Sequence, residues 1–279
     1  MGSGAMSDPH AAALADRTAP EREAGERLSR VHGAAELHAA ILAVLLPAGS
    51  KRALRAWRSE VAAAEAEALR EHGSRLSGAS RLPWLERLLA RAGRHPLAVR
   101  QQLLQSTRRV MGARGVIRPI DRLHWLLMRR ALGESASIVA RAESSVEVAE
   151  WLESDVFAVA TYSAFLSRVM PGEYTDEAQA RAWYDAAMTA WQPFADIAPW
   201  TLMPAEAMFD SLGRLQTRSW MQRPVVIRNW VVSSQKQGLS FSDCGADALR
   251  MTCALLDSPQ PPELSRHYVT LADDPTSAA

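Results

Sequence analysis

The 279-residue chain is 48% hydrophobic and 23% charged, with a net charge of only +1. That is the composition of an ordinary soluble globular protein, long enough to bury one large core or two small ones. Its best apolar run, Ala39 to Leu46, falls far short of the ~20 residues a membrane helix needs, so no spanning segment is expected.

Long Ala/Leu/Arg stretches with few β-branched runs favour helix throughout. Met1 to Met6 reads as a cloning remnant, and residues 7–30 as a flexible or partly helical arm with Pro9 and Pro20. Ala34 to Leu46 is an apolar helix stopped at Pro47. Lys51 to His72 reads as one long helix with Leu54, Trp57, Val61 and Leu69 inward, followed by a Gly/Ser loop over 73–80. Leu82 to Ala92 is a short amphipathic helix, and Pro96 suits the start of the next, Leu97 to about Met111. Gly112 and Gly115 supply a turn before a helix from Pro119 to Leu132.

Residues 135–145 are polar and mark the expected boundary between two halves. Val146 to Met170 reads as a long helix, whole or broken near Ser154. Thr175 is the expected N-cap of a helix to Ala190, with Ala178, Trp183, Ala187 and Trp191 partly inward. Gln192 to Pro204, with three prolines, is a loop. Helices then follow over 205–221 and 224–232, with a turn over 235–240. Ser242 or Asp243 caps the last clear helix, which buries Leu249, Cys253 and Leu256. Residues 265–279 form a partly disordered tail.

Several landmarks recur in order. Ile41-Leu42 and Leu45-Leu46-Pro47 match Phe165-Leu166 and Val169-Met170-Pro171 at a shift of 124 residues. Arg55-Ala56-Trp57 matches Arg181-Ala182-Trp183 at 126, Pro96 matches Pro224 at 128, and Gly115 matches Gly238 at 123. The predicted fold is therefore all-α, a compact bundle of roughly 8–10 helices built from two tandem pseudo-repeats, residues 31–134 and 146–264.

Charge separates the same halves. Residues 51–133 carry 18 Lys/Arg against 6 Asp/Glu, and the remainder 14 against 25. Two readings stay open. The halves neutralise each other across an internal interface, or the basic half meets phosphates, RNA or an anionic membrane surface.

Signatures of catalysis are missing. There is no His-Glu-x-x-His, no Glu-x-x-His pair, no Gly-x-Ser-x-Gly, no Gly-rich phosphate loop and no Cys-x-x-Cys. Glu147, Glu150 and Glu153 lie on one helix stripe, the pattern of a solvated face. Cys244 and Cys253, nine positions apart, fall on opposite sides of a shared helix. A reduced, cytoplasmic setting is the expectation. No catalytic, metal or cofactor-binding residue is assigned.

The most suggestive surface is on the helix from Pro119. Ile120, Leu123, Leu127 and Ala131 form its core stripe. Arg122, Trp125 and Arg129 share another face, with Arg114 and Arg118 at its start. Such an Arg–Trp–Arg ladder suits a phosphate or a stacked base. It suits equally well guanidinium groups covering a half-buried indole. The nine Trp also suggest a helical pocket for a small apolar ligand.

His38-Ala-Ala-Ile-Leu-Ala-Val-Leu-Leu46 precedes Leu82-Pro-Trp-Leu-Glu-Arg-Leu-Leu89. Arg100-Gln-Gln-Leu-Leu104 and Gly115-Val-Ile-Arg-Pro-Ile-Asp121 follow, and the second round closes with Leu256-Asp-Ser-Pro-Gln-Pro-Pro262. This order, from about Arg22 to Leu264, resembles the TerB-like helical domain found behind the catalytic domain of bacterial HtpX-like membrane zinc metallopeptidases. The resemblance implies a soluble helical module beside a peptidase at the inner face of a membrane. The family's turn carries an Asp before its glycine and an acidic residue seven on. Here Arg114 and Gln237 precede the glycines, and only Asp121 keeps an acidic position, Gly245 standing at the other. Neither metal binding nor proteolysis is implied for this chain.

The expectation is a non-catalytic helical interaction or regulatory module. Its partner would be another protein or its own peptidase domain. The alternative is a binder of nucleic acid or anionic lipid through the basic half, using Arg114, Arg118, Arg122, Trp125 and Arg129.

Overall fold

The structure, a computed structural model, describes residues 18–133, 150–172, 175–236 and 241–271. The protein is all-α: among the described residues there are thirteen α-helices, one 3-10 turn and no strand. By internal contacts the chain divides into two compact units, Met1–Val116 with Tyr268–Ala279, and Ile117–His267. The boundary expected over 135–145 lies outside the described residues, and the helix from Pro119 counts with the second unit.

The first unit holds α1 (Ala19–Ser29), α2 (Ala34–Val44), α3 (Lys51–Glu60), α4 (Ala66–Ser74), α5 (Gly78–Ala92) and α6 (Leu97–Gly112). Helix α2 is its centre. Leu37 and every residue from Ala39 to Val44 are buried, as befits a helix that is apolar all round. Helices α4, α5 and α6 pack on it, α1 packs on α4, and α3 packs on α6. Trp57 of α3 is fully buried and donates its indole N–H to the Ala39 carbonyl at 3.3 Å.

Here the long helix predicted over 51–72 is corrected to two. Val61 turns extended at φ −103°, ψ 135°, and α4 begins at Ala66. The reason is tertiary: the two segments pack on different helices, α3 on α6 and α4 on α1 and α2. Packing thus overrides the helix propensity of the Ala/Glu run between them. The loop predicted over 73–80 is also largely helical. Buried Gly73 continues α4, its Cβ position lying 3.6 Å from the Ala43 backbone, so the glycine allows close approach rather than ending the helix.

Helix α5 carries Pro83 in its interior, which leaves the Ala79 carbonyl without its i+4 donor. The Val269 backbone N–H fills that place at 3.2 Å, and Tyr268 beside it is buried. Glu21 of α1 is buried and accepts the Ser77 N–H at 3.3 Å and the Ser77 hydroxyl at 2.6 Å. Ser80 donates to the same carboxylate oxygen. One carboxylate thus caps the start of α5 from another helix. The arm expected over 7–30 is therefore helical from Ala19 onward.

The second unit holds α7 (Pro119–Leu132), α8 (Glu153–Leu166) and α9 (Glu177–Met188), which tightens into a 3-10 turn over Thr189–Trp191. Then come α10 (Ala205–Thr217), α11 (Arg223–Lys236), α12 (Asp243–Leu255) and the short α13 (Pro262–Ser265). Helix α8 is buried on all sides from Ala158 to Leu166. It packs against α10 and α9, α9 packs against α11, and α7 against α12. The helix expected from Val146 begins only at Glu153, with residues 146–149 outside the described residues. The N-cap expected at Thr175 is Asp176, whose Oδ1 accepts the Gln179 N–H at 2.8 Å, while Gln179 Oε1 accepts the Asp176 N–H at 3.4 Å. A reciprocal capping box outranks a lone threonine. Ala178 is exposed; Ala180, Trp183, Ala187 and Trp191 are buried. The turn expected over 235–240 falls partly on Gln235 and Lys236, which are still helical, and otherwise outside the described residues, as does Gly238.

Most aromatic polar groups in this core are satisfied, although the buried Trp191 Nε1 has no hydrogen-bond partner among the described residues. Trp183 donates to Ser234 Oγ at 2.8 Å, Trp230 to Ser163 Oγ at 2.8 Å, and Trp200 to Ser167 Oγ at 2.8 Å. Tyr162 and Thr252 share a hydrogen bond of 2.9 Å. A buried indole needs such a partner, so these tryptophans build core.

Two helical glycines give opposite expectations. At Gly245 an added Cβ lies 2.6 Å from the Met170 carbonyl oxygen, whereas at Gly112 nothing lies within 4 Å. Gly245→Ala should lose about 1–3 kcal/mol through overpacking, although alanine is the better helix former. Gly112→Ala should gain up to about 0.5–1 kcal/mol. Denaturant unfolding of the two variants checks the opposite signs.

Candidate functional site

Helix α7 begins where the Gly115 turn ends, and Gly115 takes φ +86°, the left-handed region that glycine enters freely. Arg118 is the N-cap residue. Its backbone N–H donates to Asp121 Oδ2 at 2.9 Å, and its Nη2 lies 3.2 Å from Asp121 Oδ1. The buried Asp121 carboxylate answers both the helix dipole and the arginine. The Asp121 carboxylate is thereby engaged, while the Arg118 side chain remains partly exposed.

Arg122 and Trp125 are half-buried and Arg129 is exposed, on the face expected for them. Arg114 belongs to the first unit, and Arg118, Arg122, Trp125 and Arg129 to the second. Among the described residues, the arginines seated on indoles are Arg87 on Trp84, Arg181 on Trp200 and Arg218 on Trp151; the Trp125 ring is in none of these pairs. Ile120, Leu123 and Leu127 are buried as the core stripe, joined by Leu126, Met128 and Leu132.

The next arginine, Arg130, turns inward. It donates to the Leu255 carbonyl at 3.2 Å and pairs with Asp257. Gln216 donates to the same carbonyl at 2.6 Å, and Arg223 to the Leu256 carbonyl at 2.8 Å. Side chains from α7, α10 and α11 thus converge on the C-terminal carbonyls of α12, where positive charge is favoured. Arg91 does the same in the first unit, reaching the Leu28 and Val31 carbonyls at 3.1 Å each.

A second assembly, which the sequence does not reveal, lies at the corner between α10 and α11. Asp155, buried in the first turn of α8, accepts from Arg214 Nε at 2.8 Å, Arg218 Nη1 at 2.8 Å and the Leu152 backbone N–H at 3.0 Å. Arg218 also donates to the Glu150 carbonyl at 3.1 Å and lies 4.8 Å over the Trp151 ring. Arg223 Nε returns to the Arg218 carbonyl at 2.8 Å. Ser219 starts the helical turn, its carbonyl accepting from Gln222 and Arg223. Outward from this pedestal stand Trp220, Met221 and Val225, at 63%, 47% and 56% exposure. Met221 and Val225 are four residues apart and share a face. A Trp-Met pair set between arginines is the one sequence signal that marks the corner. Its exposure is decided by contacts some sixty residues away.

In the first unit, Glu60, Arg109 and His38 form a titratable cluster. Glu60 takes both Arg109 Nε and Nη2 at 2.6 Å, and this pairing holds its carboxyl below the usual range. His38 lies beside it with Nε2 lacking a hydrogen-bond partner among the described residues. Burial holds the His38 imidazole below the ordinary histidine value; Glu60 opposes that and Arg109 adds to it.

Among the described residues there is no group of three His, Cys, Asp or Glu side chains placed to hold a metal ion. Nor is any described helix long and apolar enough to cross a membrane. Compared with protein-family models, curated proteins and solved structures, the chain matches none.

Removing the Asp155 carboxylate strands two guanidinium groups, one of them buried. Asp155→Ala should destabilise the second unit by about 3–5 kcal/mol, read as a lower denaturant midpoint. His38 gives a pH expectation. Its folded pKa lies below the unfolded value near 6.5. As pH falls below about 6.5 the unfolded chain therefore binds the proton first, and stability drops. Unfolding of wild type between about pH 6.5 and 5 should show that loss, and His38→Gln a flatter profile.

Proposed function

We propose that the chain is a non-catalytic helical interaction module whose contact surface centres on Trp220, Met221 and Val225. The observation that carries the reading is the contrast at that corner. Buried polar side chains, Asp155 with Arg218 and Arg223, and Ser219 with Gln222, fix the backbone, and the fixed backbone turns three large apolar groups to water. Singly exposed apolar residues need no explanation. A tryptophan on a pre-organised support resembles the aromatic anchors that dominate protein interfaces, since little ordering entropy remains to be lost on binding.

Duplication is part of the same proposal. In each unit a helix buried on all sides, α2 or α8, precedes a helix with a fully buried tryptophan, Trp57 or Trp183. The pairings α2–α5 and α3–α6 are echoed by α8–α10 and α9–α11. This order supports two copies of one helical plan. With the resemblance to TerB-like domains behind HtpX-like peptidases, it favours a peptidase domain of that type as partner.

A second reading has its own observation. Arg168, half-buried after α8, has its guanidinium pKa lowered by burial and by the neighbouring Arg122. Two like charges close together suit a phosphate, which would make α7 a contact for RNA or an anionic surface. Binding that weakens steeply with salt and is lost in an Arg122→Glu, Arg168→Glu double variant would favour it; no binding at low salt would end it.

For the first reading, an HtpX-like catalytic domain supplied in trans should bind the chain, and Trp220→Ala should weaken that binding at least tenfold. The variant's unfolding should stay within about 0.5 kcal/mol of wild type. No complex at tens of micromolar, or one indifferent to Trp220→Ala, overturns the proposal. The purified chain should also carry no stoichiometric zinc and leave casein intact.

A further inference from the structure

The first unit contains a cleft of about 480 Å³, lined by the α2–α3 turn and by parts of α4 and α5. That volume lies within the range of small-molecule sites. Its apolar lining comes from Ala43, Leu46, Pro47 and Leu54, and its charged lining from Lys51, Arg70 and Arg81; no carboxylate lines it.

We propose that this cleft binds a small amphipathic anion, an aliphatic chain ended by a phosphate or carboxylate, with the chain on Leu46 and Leu54 and the head at Lys51. The site is distinct from the corner in the second unit and does not depend on it.

Charge bookkeeping around the cleft supports the head group. Glu67 is shared between Arg58 Nε at 2.6 Å and Arg70 Nε at 2.7 Å, so two cations have one carboxylate between them. Lys51 is exposed and forms no ion pair among the described residues. Arg52 and Arg55 follow it on α3, whose first turn holds no acidic residue. The Ser50 hydroxyl caps only the Ala53 N–H, at 3.2 Å. Gly49, at φ +76°, makes the turn that brings this start of α3 against the apolar wall. A helix start faced by cations is ordinarily a mismatch with the dipole, and an anionic head between them would remove it. The apolar wall explains why a bare anion is not enough: the aliphatic body gains by leaving water, and the head selects orientation.

Calorimetric titration of the full chain with octyl phosphate, kept below its micelle concentration, tests this beside inorganic phosphate, octanol and phosphatidic acid vesicles. Octyl phosphate should saturate one site and bind at least tenfold more tightly than inorganic phosphate or octanol. Lys51→Glu, at an exposed position, should weaken it tenfold or more with the melting temperature unchanged, as should Leu54→Asp where that variant folds. Arg181→Glu in the second unit should leave it unaltered. Absence of saturable octyl phosphate binding overturns the proposal, as does equal affinity for inorganic phosphate or indifference to Lys51→Glu. Vesicle binding without octyl phosphate binding would overturn it in favour of a membrane surface.

Discussion

Asp155 is the constraint on which the second unit depends. A carboxylate at the start of α8 is favoured by the helix dipole, yet burial makes it costly unless its lone pairs are used. Arg214, Arg218 and the Leu152 amide use them. Each of those partners is thereby fixed. Arg218 sets the corner, Arg223 holds the Arg218 carbonyl, and the same Arg223 reaches the last turn of α12. A chain of three contacts, one ionic and two to backbone carbonyls, thus runs from the N-terminus of the central helix to the C-terminus of another. The order of the exposed Trp220 corner follows from it.

That arrangement also answers part of the charge question. The abundance of arginine invites a nucleic-acid reading, but several guanidinium groups are occupied indoors. Arg91, Arg130 and Arg223 close helix C-termini, Arg118 is tied to its own N-terminal Asp121, and Arg218 balances Asp155. Arginine suits this work because its planar fork reaches several carbonyls while remaining charged. Among the described residues, charge without a carboxylate partner includes Lys51 and Arg108 in the first unit and Arg129 in the second, where Arg122 is set beside Arg168.

Local order was legible wherever the cause was local. The apolar run of α2, the Gly115 turn, the Pro119 start of α7, the Ser242 cap and the inward Trp57 and Trp183 all follow from periodicity and turn chemistry. The break between α3 and α4 does not, because its cause is which helices the two segments find to pack on. Pro83 shows the same limit. From sequence it looks like a helix start, since an interior proline orphans a carbonyl. In the fold it sits inside α5, because Val269, 190 residues downstream of Ala79, supplies the missing N–H. The arginine-tryptophan face of α7 was placed correctly on its helix, while its electrostatics were not readable. Arg118 pairs with a residue three positions on, and Arg122 stands beside Arg168 from the turn after α8.

The two surfaces left over differ in kind, and the difference bears on function. At the corner the buried guanidinium groups of Arg218 and Arg223 are held by Asp155 and by backbone carbonyls, so what faces water around Trp220 is apolar area on a rigid mount. Such a surface gains by contact with another protein and gives little long-range steering. At the α3 cleft the apolar wall is small and the charge is unmatched, which favours a ligand that brings its own negative head. As proposed, the corner would meet a macromolecular face, and the cleft a small amphiphile whose negative head answers Lys51.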